Sequence, residues 1–155
     1  MELVELIAQQ DVLPSLTATD KVEALREMAG ILARNHSGIE ESKLTALLLE
    51  RERLGSTGVG EGVAIPHCKV PGIQSMVGLF GRSTVGVEFD AVDNAPVFVF
   101  FVMVVPEDGS NDYLRVLAKI STLCRNAEFR KAVRSAPQNA SAEDLYSLLT
   151  SFNGG

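Results

Sequence analysis

Residues 96–105 (PVFVFFVMVV) constrain the fold of this chain more than any other segment. Most of them are β-branched or aromatic, which favours a strand. Because no polar side chain interrupts the run, neither face of that strand can lie against water, and both faces of the sheet must be covered. The run is also much shorter than the roughly 20 residues that a membrane-spanning helix requires. The sequence therefore predicts a central strand in a covered sheet and no membrane insertion.

Segments with helical periodicity lie on both sides of this strand along the chain. The first helix is expected to begin at an N-cap formed by Thr19, and the second to end at Gly55. Ser141 opens a sequence typical of a capping box. The predicted helices cover residues 20–35, 40–53, 111–124, 127–134 and a segment from 141 onward, and the predicted strands cover 11–16, 62–65, 75–82 and 96–105.

Together these elements predict one α/β domain over residues 1–155, with a mixed β-sheet flanked by helices on both faces. A hydrophobic content of 46% is enough for a substantial core. The net charge of −6, without a stretch rich in Lys and Arg, argues against nucleic-acid binding. No signal peptide is recognisable, and Cys68 and Cys124 match no metal spacing, so we expect a protein of the reducing cytoplasm.

The glycine-rich segment over residues 51–69 (RERLGSTGVGEGVAIPHCK) is the first candidate for function. Glycine allows backbone N–H groups to approach an anion closely, so Gly58, Gly60 and Gly62 are candidate phosphate-binding positions. Nucleotide-binding motifs do not fit, because Glu61 stands where a P-loop requires lysine and the segment leads into a strand rather than a helix. A turn-rich connection between a helix and a strand is the alternative.

His67, at the end of this segment, is the candidate catalytic residue. Histidine exchanges protons or phosphoryl groups near neutral pH, although a plain surface histidine after a strand is equally compatible with the sequence. The second histidine, His36, follows a predicted helix, where we expect a solvated side chain near the negative end of the helix dipole. Cys68 is expected to point to the opposite face from His67, which excludes a Cys–His nucleophilic pair, and no metal site is predicted.

Arg51 falls on the apolar face of the second predicted helix. Positions 44, 47, 48 and 51 share one side of a helix and the first three are leucines, so Arg51 is predicted to point inward while Arg53 points outward. A buried arginine requires an anionic partner or an anionic ligand. The sequence leaves two possibilities open: a structural ion pair with Asp90 or Asp93, and a clamp for a bound phosphate.

These residues resemble a known family. The sequence GSTGVGEGVAIPHCK over residues 55–69 is similar to the active-site segment of the enzyme IIA domains of the bacterial phosphoenolpyruvate-dependent phosphotransferase system, of the fructose–mannitol type. The similarity continues through LLLERERLGSTG before it and through GVEFDAVDNAPVFVFFVMVVP and NDYLRVLAKI after it, and so covers nearly the whole chain. The sequence ERERLGSTG is typical of the nitrogen-regulatory branch.

The resemblance implies that His67 accepts a phosphoryl group from a histidine phosphocarrier protein, with Arg51 near it and no cofactor. In the regulatory branch the phosphorylation state controls partners such as potassium transporters or sensor kinases, whereas the sugar branch passes the phosphoryl group to a IIB domain. The family usually has a second histidine where this chain has Tyr113. We expect Tyr113 to lie close to His67, although it also fits an apolar helical stripe. A protein-interaction module without phosphotransfer is the third possibility.

Overall fold

The structure, a computed structural model, describes residues 2–108 and 112–153. A mixed sheet of six strands forms its centre, with helices on both sides. The strands are β1 (Val12–Leu13), β2 (Gly58–Gly60), β3 (Val63–Ala64), β4 (His67–Val70), β5 (Val77–Val87) and β6 (Val97–Pro106). The helices are α1 (Leu3–Leu6), α2 (Lys21–Asn35), α3 (Glu41–Arg53), α4 (Asp112–Arg125), α5 (Ala127–Ser135) and α6 (Ala142–Asn153).

The strand β6 lies in the middle of the sheet and is paired along both edges. On one edge β5 runs antiparallel to it, and on the other edge β3 and β4 run parallel to it, one after the other. The strand order is β1-β5-β6-β3-β2, with β4 also paired to β6. The prediction of a central strand is therefore confirmed.

Alternate residues of β6 contribute to two separate cores. Phe100, Val102 and Val104 belong to the core beneath α2 and α3, whereas Phe101 and Met103 belong to the core formed with α1, α4, α5 and α6. Because helices cover both faces, the strand has no wet side, which accounts for its lack of polar residues. This arrangement confirms the predicted α/β class with helices on both faces. None of the helices in the described part of the chain has the length and apolar character needed to cross a bilayer.

Side-chain caps fix the starts of two helices. Asp20 caps α2, rather than Thr19 as predicted, because its carboxylate accepts a hydrogen bond from the Glu23 N–H at 2.9 Å. The predicted capping box at α6 is confirmed: the Ser141 hydroxyl accepts from the Asp144 N–H at 3.1 Å, and the Asp144 carboxylate accepts from the Ser141 N–H at 3.0 Å. Both arrangements satisfy N–H groups that have no partner within the helix.

The short strands differ most from the predictions. β2 and β4 were not predicted, because strands of three and four residues with glycine or polar side chains give no clear alternation. A 3₁₀ turn (Gln9–Asp11) shortens the strand predicted over residues 11–16 to β1, and the strand predicted over residues 75–82 extends to Val87 as part of β5. The helix observed as α4 was predicted to start at residue 111, which lies outside the described residues.

Arg82, in the middle of β5, is the largest fully buried side chain of the described residues. Its guanidinium donates hydrogen bonds to the carbonyl oxygens of Pro14, Val133, Ala136 and Pro137, at distances of 2.8–3.0 Å. The last three carbonyls lie at or just beyond the end of α5, where helix carbonyls lack partners within the helix and the dipole is negative. Arg82 thus joins the sheet to the end of α5 and to the segment after β1.

Arg82→Met should lower the free energy of unfolding by at least about 3 kcal/mol, because each buried carbonyl left without a donor costs roughly 1–3 kcal/mol. Urea unfolding measures the change. Arg53→Met is the control, since Arg53 is exposed and pairs only with the exposed Glu50, and it should shift stability by no more than about 0.5 kcal/mol. Equal unfolding midpoints for the two variants would show that Arg82 does not stabilise the fold in this way.

Candidate active site

His67 is the first residue of β4 and is half-buried. Its Nδ1 atom lies 2.8 Å from the carbonyl oxygen of Ile65. A carbonyl oxygen only accepts, so Nδ1 must carry the proton in this hydrogen bond. In the neutral ring the lone pair is then on Nε2, which makes Nε2 the nucleophilic atom of the imidazole.

The backbone around His67 is anchored to β6. His67 pairs in parallel register with Met103, and the Met103 N–H donates to the carbonyl oxygen of Pro66 at 2.9 Å. Because Pro66 has a fixed φ and no N–H, the two residues between β3 and β4 have few alternative conformations. His67 is thus the first residue of the second stretch, β4, that pairs with β6 after β3.

Tyr113 lies beside His67, as expected from the resemblance. It belongs to the first turn of α4, and its ring centroid is 6.1 Å from that of the imidazole, with the planes tilted by 46°. This separation is within the range of interacting aromatic rings. Tyr113 is half-buried and also packs against the core under α4, so the structure combines the two readings that the sequence left open.

Arg51 is in the last turn of α3 and is half-buried. Its Nη1 donates to the carbonyl oxygen of Gly55 at 3.0 Å. Within residues 2–108 and 112–153 Arg51 takes part in no ion pair, so the structure does not contain the alternative of a structural ion pair with Asp90 or Asp93. Asp93 instead accepts hydrogen bonds from two backbone N–H groups. Of the two possibilities for Arg51, the phosphate clamp is the one that stays open.

Glu52, and not Arg51, is the charged residue on the buried face of α3. That face consists of Leu44, Thr45, Leu48 and Glu52, so the predicted inward face was rotated by about one position. Glu52 is 8% exposed and pairs with Lys21 of α2 at 3.1 Å. The leucine spacing favoured Arg51 over Glu52, although positions 45, 48 and 52 also share one side of a helix.

Gly58, Gly60 and Gly62 form a tight β-hairpin. The first two belong to β2, which runs antiparallel to β3, and the turn has positive φ angles at Gly60 (99°), Glu61 (58°) and Gly62 (76°). Such backbone angles favour glycine. A Cβ atom on Gly58 would lie 2.7 Å from the Cβ of a neighbouring alanine, and its N–H already donates to the Ser56 hydroxyl at 3.0 Å. Backbone angle or close packing therefore explains why glycine occupies each of these three positions.

The turn of this hairpin lies far from His67 along the sheet. The carbonyl of Gly62 accepts from the N–H of Val99, whereas His67 pairs with Met103. Four residues of strand between these two positions of β6 span about 13 Å. Gly60 and Gly62 therefore lie at the end of the hairpin away from His67, and phosphate binding at Gly58, Gly60 and Gly62 stays a prediction. Thr57 is linked to His67 through Ile65, because the Thr57 carbonyl accepts from the Ile65 N–H at 3.0 Å and the Ile65 carbonyl accepts from His67.

His36 and Cys68 lie in surroundings that indicate a structural role rather than a catalytic one. His36 was predicted to be solvated, but its Nε2 lies 2.7 Å from a carboxylate oxygen of Asp11, which is 1% exposed. Cys68 packs against the core under α2 and α3, on the opposite side of the sheet from Tyr113. Burial raises the pKa of the Cys68 thiol to about 12, so it is protonated at neutral pH and is a poor nucleophile.

The comparison with known families agrees with this geometry. Residues 5–151 match the family described as phosphoenolpyruvate-dependent sugar phosphotransferase system, EIIA 2. The chain belongs to this EIIA family. It is 37% identical over 149 residues to the nitrogen regulatory protein of Bradyrhizobium diazoefficiens, an alignment that covers 96% of this chain and 95% of that protein. The family suggested by the sequence is thereby confirmed.

Solved structures share the fold of this EIIA protein. The nitrogen regulatory protein IIA-Ntr from Neisseria meningitidis superimposes with a TM-score of 0.85 at 31% identity, over 95% of this chain and 98% of that one. A complex of enzyme IIA for mannitol with phosphorylated enzyme IIB for mannitol, from Escherichia coli, contains a chain that matches with a TM-score of 0.73 at 17% identity, over 94% and 99%. At that identity the second similarity concerns the fold alone.

Proposed function

We propose that this EIIA protein accepts a phosphoryl group on Nε2 of His67 from a histidine phosphocarrier protein, and that its phosphorylation state controls partner proteins. The observation that carries the proposal is the hydrogen bond between His67 Nδ1 and the Ile65 carbonyl oxygen. That bond keeps the proton on Nδ1 and leaves the Nε2 lone pair for attack on phosphorus. The relatives named nitrogen regulatory proteins support the regulatory role, which we place in the cytoplasm.

The proposed step is an in-line displacement at phosphorus. A bond forms between His67 Nε2 and phosphorus while the bond from phosphorus to the carrier's imidazole nitrogen breaks. The departing electron pair stays on the carrier's nitrogen, and that ring leaves neutral when its other nitrogen carries a proton. Positive charge develops on the His67 ring, and the Nδ1–H bond to the Ile65 carbonyl strengthens with that charge.

Arg51 and Tyr113 are the proposed donors to the phosphoryl oxygens. The guanidinium of Arg51 is held at the end of α3 by the Gly55 carbonyl, which belongs to the segment that contacts Ile65 through Thr57. Arginine is suited to this task because its planar group donates several hydrogen bonds and carries a permanent charge. The Tyr113 hydroxyl can donate a hydrogen bond but supplies no positive charge where the family usually has a second histidine.

Transfer to a sugar-specific IIB domain is the second candidate function. The observation in its favour is that the chain is also 32% identical over 142 residues to the fructose-specific EIIA component of Haloferax volcanii, over 92% of this chain and 89% of that protein. The regulatory function stands first because the nitrogen regulatory protein of Bradyrhizobium diazoefficiens is more similar in sequence, at 37% identity, and matches nearly full length. An interaction module that binds partners without being phosphorylated is the third candidate.

Incubation with phosphoenolpyruvate, enzyme I and a histidine phosphocarrier protein should add one acid-labile phosphate to the chain, as measured by mass spectrometry. His67→Ala should abolish the labelling, because it removes the nucleophile. His36→Gln is the control, since glutamine keeps an N–H donor for the buried Asp11 carboxylate, and it should be labelled like the wild type. Labelling of the His67→Ala variant would sink the assignment, and an unlabelled wild type would favour the interaction module.

The phosphorylated protein also separates the two phosphotransfer functions. Under the regulatory proposal it should keep its phosphate when mixed with purified fructose- or mannitol-type IIB domains and should change its binding to a partner on phosphorylation. Rapid loss of the phosphate to a IIB domain would instead identify a sugar-specific component.

Arg51→Met should slow phosphoryl acceptance roughly 10- to 150-fold, because a hydrogen bond to a charged group is worth about 1.5–3 kcal/mol. Rapid-quench measurement of the labelling rate provides the test. Arg53→Met is the matched control, because Arg53 lies two positions along the same helix and its side chain is 75% exposed. If both variants are labelled at the wild-type rate, Arg51 has no role in transfer.

Tyr113→Phe should slow acceptance roughly 2- to 13-fold, because it keeps the ring but removes a neutral hydrogen bond of about 0.5–1.5 kcal/mol. The unfolding midpoint should stay close to that of the wild type. Tyr146→Phe is the control, since Tyr146 is a half-buried tyrosine of α6 that packs on the same core. A Tyr113→Phe variant with an unchanged labelling rate would identify Tyr113 as a core residue only.

A further inference from the structure

A buried carboxylate lies behind the candidate active site, and we propose that it positions His67 through Thr57. Glu52 holds Thr57, Thr57 holds Ile65, and the Ile65 carbonyl holds the imidazole. The inference rests on the proposed phosphoryl acceptance at His67 and deepens it. Glu52 and Thr57 are positioning residues in this arrangement, and neither needs to touch the phosphate.

Glu52 is fixed in place by three donors. One oxygen, Oε1, accepts from the Thr57 N–H at 3.1 Å and from the Lys21 ammonium at 3.1 Å, and Oε2 accepts from the Thr57 hydroxyl. Lys21 is the first residue of α2, and its ammonium group also lies 4.8 Å from the ring centroid of Phe89. A buried carboxylate that is fully hydrogen-bonded has little freedom to move. Glu52 is therefore a rigid anchor for residues 55–57.

Thr57 transmits this anchor to the residue that binds the imidazole. Thr57 is 4% exposed, and its N–H and hydroxyl contact Glu52 while its carbonyl accepts from the Ile65 N–H at 3.0 Å. On the other side, the Met103 N–H of β6 donates to the Pro66 carbonyl at 2.9 Å. Ile65 is thus held between Thr57 and β6. This double attachment fixes the direction of the Ile65 carbonyl.

The direction of that carbonyl decides which nitrogen of His67 carries the proton. With the Ile65 carbonyl in place the proton is on Nδ1, whereas without it the proton is free to occupy Nε2, which then has no lone pair for phosphorus. One hydrogen bond of ordinary strength corresponds to roughly a tenfold change in such an equilibrium. The same segment carries Gly55, whose carbonyl accepts from Arg51 at 3.0 Å. Both proposed site residues therefore depend on the segment that Glu52 holds.

Thr57→Val tests this arrangement, and Thr45→Val is the matched control. Both changes remove a buried hydroxyl from a β-branched residue, but the Thr45 hydroxyl donates only to the Glu41 carbonyl within α3, at 2.8 Å. Thr57→Val should accept phosphoryl groups roughly tenfold more slowly at saturating carrier, with an unchanged KM for the carrier. Thr45→Val should keep the wild-type rate. Thr57→Ser should restore it, because serine keeps the hydroxyl.

Nitrogen-15 NMR of the unphosphorylated protein gives a second result that does not depend on phosphotransfer. The wild type should carry the His67 proton on Nδ1, and Thr57→Val should show a mixture of the two tautomers. A wild-type proton on Nε2 would overturn the inference even if His67 is phosphorylated. Conversely, a wild type with Nδ1 protonated that is never phosphorylated would contradict the proposed function alone.

The remaining outcomes are also decisive. If Thr57→Val keeps both the wild-type rate and the wild-type His67 spectrum, Glu52 and Thr57 form a stabilising pair and do not position the imidazole. If Thr57→Val does not fold, Lys21→Met replaces it, because this change removes one of the three donors to Glu52. Lys21→Met should then slow phosphoryl acceptance and give a mixture of His67 tautomers, as expected for Thr57→Val. The absence of both effects would overturn the inference.

Discussion

The complete enclosure of β6 determines where the site can form. One edge of β6 is occupied by β5, and both faces are covered by helices, so only the other edge is left for the glycine-rich segment. That segment pairs with β6 as β3 and then, in the same register, as β4, and the Pro66 carbonyl between them accepts from the Met103 N–H of β6. The carbonyls of Gly62 and Pro66 accept from N–H groups of β6, so the alternation along the strand turns the Ile65 carbonyl away from β6, where it accepts from the side chain of His67. The position of His67 therefore follows from the pairing of β3 and β4 with one edge of the buried strand β6.

Three buried charged residues of the described chain make hydrogen bonds at the C-terminal ends of helices. Arg82 binds carbonyls at the end of α5, Glu52 in the last turn of α3 binds Thr57 and Lys21, and Asp11 binds Asn35 and His36 at the end of α2. The buried nitrogen and oxygen atoms of all three side chains have hydrogen-bond partners, as do all buried side-chain N and O atoms among the described residues. The C-terminal ends of helices carry unpaired carbonyl oxygens, and Arg82 satisfies such groups as a donor. The carboxylates of Glu52 and Asp11 instead accept hydrogen bonds, Glu52 from Thr57 and Lys21 and Asp11 from the Asn35 side chain. Glu52 differs from the other two because its helix end leads directly into the site.

The sequence was sufficient for the central strand, the helices on both faces and the family, because each depends on a long pattern. It was insufficient where the outcome depends on a single position or a distant partner. Periodicity could not decide between Arg51 and Glu52 as the inward residue, since neighbouring positions differ by only about 100° around a helix. The glycines at 60 and 62 gave the same pattern as an anion-binding loop, although positive φ angles explain them. The strand β4 depends on pairing with β6, more than 30 residues away, and no local signal reveals it.

A phosphoryl group on His67 would act on its surroundings mainly through charge. It would add between one and two negative charges to a chain with a net charge of −6, at a half-buried position. On either side of residues 55–57, Leu54 is 83% exposed and Val59 of β2 is 55% exposed. A partner that buries His67 together with these apolar side chains would remove water from the phosphoryl group, and this desolvation is costly unless the partner supplies cations. Under the proposed function, phosphorylation of His67 would therefore disfavour partners that bury this surface without supplying cations.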